Sequence, residues 1–96
     1  MRIPARFTIF GQKIKVKYVD DLDGNAGKYS PAQSLIQLQR SSLNHKISKE
    51  MLEVTFYHEM FHALFDKLGY DDLYLDEKLV DLLANAFFEI NKTKRS

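Results

Sequence analysis

Cysteine is absent from the 96 residues, which excludes a disulfide framework, a thiolate nucleophile and any cysteine-ligated metal site. Any metal must therefore be held by histidine and carboxylate. Long apolar runs are missing as well. The opening stretch MRIPARFTIFGQK is interrupted by Pro4, Arg6, Gly11 and Gln12, so it does not read as a signal peptide. No segment is long enough to span a bilayer, and a cytoplasmic location is the expectation. An excess of one charge is also missing: 14 basic residues face 13 acidic ones, for a net charge of +1. Such a balance creates no long-range field to gather nucleic acid or acidic membranes, and neither is expected as a partner. The one basic cluster is the tail NKTKRS, Asn91 to Ser96, which reads as a solvated end.

What is present is enough apolar material for one compact unit. Apolar residues make up 45% of the chain, with seven Phe and five Tyr, well above the content of disordered sequences. A single domain over residues 1–96 follows from the length. From Arg6 to Tyr18 polar and apolar residues alternate on either side of Gly11 and Gln12, with Ile14, Val16 and Tyr18 on one face, which predicts two strand segments. DDLDGNAG concentrates turn-forming residues and predicts a loop or hairpin connection. KYSPAQSLIQLQR resumes an extended pattern, with Ile36 and Leu38 opposed to Leu35, Gln37 and Gln39, and Pro31 limits pairing at its start. A third strand is predicted, so that strands occupy about 5–40.

Ser48 is a suitable N-cap, and Gly69 a suitable left-handed stop, for a helix over about 49–68. Apolar residues occupy nearly every face of that segment, which predicts a central, surrounded helix with Phe56, Tyr57, Phe61 and Phe65 in the core. A further helix over about 75–92 is indicated by Leu79, Leu83, Ala86, Phe87 and Ile90 at spacings of three and four, with Asp76 or a neighbouring acid favouring its N-terminus. The predicted fold class is α+β: a small antiparallel sheet followed by two packed helices.

The central helix carries a polar cluster that apolar packing does not explain. His58, Glu59 and His62 spell H-E-x-x-H, and four residues on an α-helix bring the two imidazoles to within about 40° of each other on one face. Both rings can then reach one ion, and zinc accepts imidazole nitrogen readily but requires further ligands. Glu59 flanks such an ion without binding it and is placed to act as a general base on zinc-bound water. The third ligand is expected from the returning helix. Glu77, fifteen residues beyond His62, leads, with Asp76 and Asp81 as the other carboxylates in reach. Asp81 is also suited to accept the second ring N–H of His58 or His62. Without a metal, the same residues would form a buried network of histidine and carboxylate.

HEMFH followed by DEKLVD resembles the H-E-x-x-H plus downstream Glu-x-x-x-Asp arrangement of the gluzincin metallopeptidases, over roughly the second half of the chain. The order of strands, active-site helix and acidic-entry helix is similar to small phage-type zinc peptidase domains related to the ImmA/IrrE and SprT-like groups. The resemblance implies a minimal zincin-like fold holding Zn²⁺ on His58, His62 and Glu77, with Glu59 as the general base and Asp81 orienting a ligand histidine. It implies hydrolysis of a peptide bond in a protein or peptide substrate such as a repressor-type regulator, in the host cytoplasm if the chain is phage-encoded. The alternative expectation is a non-catalytic, zinc-stabilised regulatory or partner-binding domain. Larger gluzincins use a tyrosine or histidine to stabilise the oxyanion; His45, Tyr70 and Tyr74 are available here, and spacing does not select among them.

Overall fold

A computed structural model describes residues 3–42 and 45–94, without the side chains of Ser42 and His45. Strand β1 (Arg6–Ile9) and β2 (Gln12–Val19) form a hairpin, followed by β3 (Gly27–Ser30) and β4 (Leu35–Gln39). A short pair, β5 (Ser41–Ser42) and β6 (His45–Lys46), leads into α1 (Lys49–Leu68), α2 (Asp71–Tyr74) and α3 (Glu77–Thr93). The fold is α+β, a four-stranded sheet in the N-terminal half followed by two packed helices.

Two features of the sheet depart from the sequence expectation. The segment read as one strand is two, because Pro31 opens a 3₁₀ turn over Pro31–Gln33 that folds β3 back on β4. The sheet is mixed, not antiparallel throughout: its order is β1-β2-β4-β3, and β4 runs parallel to β2, with Val16 opposite Ile36 and Tyr18 opposite Leu38. The chain steps outward through β3 before β4 returns into the gap, and that detour supplies the crossover a parallel pair requires. The first hairpin turns at Phe10 and Gly11, both at positive φ (50° and 78°), the two-residue geometry whose twist matches the flanking strands. Gln12 belongs to β2, not to the turn.

One face of the sheet is apolar by alternation. Ile14, Val16, Tyr29, Ile36 and Leu38 are buried, while Lys13, Lys15 and Lys17 point to solvent. Tyr18 continues the alternation but remains exposed, with the Arg40 guanidinium 5.9 Å from its ring centroid. Helix α1 lies on the apolar face and buries Phe56, Tyr57, Ala63 and Phe65, with Phe61 half-buried, and α3 adds Val80 and Ala84.

The ends of the helices are fixed by specific groups. Ser48 Oγ accepts from Met51 N at 3.2 Å. Gly69, at φ 79°, donates to Asp66 O while Tyr70 N donates to Phe65 O, the paired bonds of a Schellman stop. The Asp76 carboxylate accepts from Leu79 N at 3.0 Å and caps α3, so it acts at the helix end. The connection GYDDLYLD holds the single turn of α2.

Gly27 sets how closely the sheet approaches α1. A Cβ at that position would lie 2.6 Å from Thr55 Cγ2 and 3.1 Å from Glu59 Cγ. Gly27→Ala is therefore expected to destabilise the protein by about 1–3 kcal/mol through overpacking. Thr55→Ser in the same chain should recover part of the loss, as read by urea unfolding. Unchanged stability of Gly27→Ala would contradict the close approach.

Candidate metal centre

One helical turn separates His58 from His62 on α1, and the Schellman stop with α2 returns the chain so that α3 begins beside them. Glu77, the first residue of α3, projects its carboxylate between the two rings: Oε2 lies 3.3 Å from His58 Nε2 and Oε1 lies 2.7 Å from His62 Nε2. The ligand atoms of His58, His62 and Glu77 all fall within 4.8 Å of one another.

The outer ring nitrogens determine what the inner ones can do. His62 Nδ1 lies 2.9 Å from the carbonyl oxygen of Tyr74. A carbonyl only accepts, so Nδ1 carries a proton, and Nε2 is the ring nitrogen turned to Glu77. The 2.7 Å between Nε2 and Glu77 Oε1 is satisfied either by a proton on Nε2, which then donates to the carboxylate, or by a cation the two atoms share. His58 Nε2 faces the same carboxylate, while its Nδ1 lies 3.6 Å from Asp81 Oδ1, an ion-pair distance and not a hydrogen bond. Two imidazole nitrogens and a carboxylate oxygen form a donor set suited to a divalent ion such as zinc. Ligand atoms about 2 Å from a tetrahedral ion sit roughly 3.3 Å apart, close to the spacing from His58 to Glu77.

Glu59 stands beside this group and outside it. Its side chain is packed under β3, leaving 8% of the residue exposed, and the Tyr29 backbone N–H donates to its carboxylate. Burial pushes the Glu59 carboxyl from 4.5 up to about 7; the His58 ring pulls it down, the Glu77 carboxylate adds to the rise, and the Tyr29 N–H lowers it.

These residues line an open cleft of about 580 Å³, with β3 on one side, the face of α1 bearing His58 and His62 as its floor, and Tyr74 and Glu77 opposite. The cleft distinguishes among the three oxyanion candidates. Tyr74 lines it, edge-on to His62 at 5.3 Å between centroids, whereas Tyr70 is exposed and does not line it. The His45 side chain lies outside the described residues. Burial, together with the carboxylates of Asp66, Glu59 and Glu77, raises the Tyr74 phenol above its ordinary value, so it stays a hydrogen-bond donor.

Of the residues singled out in the sequence, His58, His62, Glu77, Glu59 and Asp81 come together here, with Asp81 on His58 and not on His62. Sequence reading missed the partner of His62, because a backbone carbonyl carries no residue signature. It also missed Gly27, which looked like one more turn residue. No protein-family model, curated protein or solved structure matches this chain.

A carboxyl whose pKa is higher in the folded chain than in the unfolded one costs stability wherever the unfolded form is ionised. That cost is complete above about pH 7, where both forms are charged, and vanishes below about pH 4.5. In metal-free protein, Glu59→Gln should therefore raise unfolding stability at about pH 8, with the gain fading as the pH falls to about 4. A gain of equal size at both ends, measured by denaturant titration, would contradict the burial of an ionisable Glu59.

Proposed function

We propose that this chain is a zinc-dependent metallopeptidase of the gluzincin type, with His58, His62 and Glu77 holding the ion and Glu59 as the general base. The observation that carries this reading is the meeting of two imidazole Nε2 atoms at one carboxylate, with a second, buried carboxyl beside them in an open cleft. Zinc, when bound, supplies Lewis-acid polarisation of a carbonyl and acidifies water. Glu59 takes the proton from the attacking water and returns it to the leaving amine. Tyr74 donates a hydrogen bond to the oxygen on which negative charge develops. The Tyr74 carbonyl accepts from His62 Nδ1 and so turns Nε2 of that ring to Glu77, and Asp81 Oδ1 stands 3.6 Å from His58 Nδ1 on the outer side of the other ring.

A peptide substrate is supported by β3. It is the outer strand of the sheet and lines the cleft, so an extended chain can pair with its backbone next to Glu59. A repressor-type regulator is the substrate class the family resemblance suggests. The second reading, a structural zinc clamp in a non-catalytic partner-binding domain, is favoured by one observation: Glu77 on α3 and the histidines on α1 would tie the two helices together.

Zinc content and peptide cleavage measured on three proteins separate the readings. The parent should bind one zinc and cleave. Glu59→Gln should keep the zinc and lose about 10²–10⁴ in rate. His62→Ala should lose both. Undiminished cleavage by Glu59→Gln would overturn the assigned base, and a zinc-loaded parent inert towards a broad peptide library would favour the clamp.

A further inference from the structure

Helix α3 has two apolar faces, and only one is covered. Val80 and Ala84 pack under α1 and are fully buried. A second row, spaced four residues apart on the same helix, is Leu82, Ala86 and Ile90; Leu82 is 59% exposed, Ile90 58%, and Ala86 is exposed as well. Leu79 and Leu83, half-buried, border this row and make it a stripe. A contiguous apolar stripe along a helix of 17 residues is more than the scattered surface leucines a monomer normally carries.

The charges beside the stripe indicate its occupant. Lys78 and Glu89 flank the row on one side, both exposed, and neither has an ion-pair partner among the described residues. They lie at opposite ends of the stripe with opposite sign. A second copy of α3 laid antiparallel, with its two-fold axis between Leu82 and Ala86, brings Lys78 of each copy to Glu89 of the other. The same register sets Leu82 against Ala86 and Leu79 against Ile90, so large side chains meet a small one at the centre and each other at the ends. A two-fold interface of this kind is self-complementary, as closed dimers require.

We propose that the chain forms a two-fold homodimer through this face of α3, with the helices antiparallel. At about 100° per residue, Glu77 and Asp81 sit roughly 140–180° around α3 from the Leu82–Ala86–Ile90 row. Pairing therefore leaves both clefts open, and the dimer stands independently of the metal and the peptidase reading.

Sedimentation equilibrium of the whole chain, from low micromolar to several hundred micromolar, tests the proposal. The parent should show a monomer–dimer equilibrium. Leu82→Glu, at an exposed position and with far-UV circular dichroism as a check on folding, should raise the dissociation constant by at least about tenfold, equivalent to about 1.4 kcal/mol. Lys78→Glu should weaken the dimer by roughly two- to tenfold, and the double swap Lys78→Glu with Glu89→Lys should restore it. A parent that stays monomeric throughout the range would overturn the proposal and leave the face to a different protein. A dimer insensitive to Leu82→Glu, or a double swap no tighter than the single, would overturn the face or the register respectively.

Discussion

Everything in this molecule that bears on chemistry depends on the Glu77 carboxylate reaching across from α3 to the two Nε2 atoms on α1. The Tyr74 carbonyl accepts from His62 Nδ1, so Nε2 meets Glu77 either as a protonated donor or across a shared cation. A proton on each ring would satisfy its contact singly, and a divalent ion would satisfy both at once. The surrounding fold serves to hold that geometry: the Schellman stop at Gly69, the single turn of α2 and the Asp76 cap together determine where Glu77 begins its helix.

The second constraint is the position of Glu59. A carboxyl packed beneath an edge strand costs stability in its charged form, and the fold accepts that cost at a position where an aliphatic side chain would pack more favourably. It does so through an unusually close strand. Gly27 allows β3 to lie against Thr55 and the Glu59 methylene, which brings the Tyr29 N–H to the carboxylate and closes one wall of the cleft. A group meant only to tie two helices together would have no use for such an arrangement, and for this reason the catalytic reading stands ahead of the clamp.

How much of this was legible in the sequence varies by element. Helix α1 was legible to its end residues, because Ser48 and Gly69 carry their own signals and the segment between them has no breaker. The H-E-x-x-H spacing was equally readable, since helical periodicity alone brings the two histidines to one face, while Glu77 and Asp81 followed from a short connection returning the next helix beside them. The mixed sheet was not. Whether β4 runs parallel or antiparallel to β2 depends on the path of β3 between them, a tertiary choice that alternation in the strands does not record. The α2 turn, four residues long, is too short to show a helical period, and with it went the Tyr74 carbonyl that orients His62. Local patterns thus supplied the candidate ligands, while backbone placement supplied the carbonyl that orients His62.

Anomalous diffraction at the zinc edge from crystals grown with zinc tests the central claim most directly. The account predicts one ordered ion about 2.0–2.2 Å from His58 Nε2, His62 Nε2 and a Glu77 oxygen, with its remaining position turned to the cleft. An anomalous map without a peak between these three side chains, or an ion held there by other residues while Glu77 points away, would contradict it.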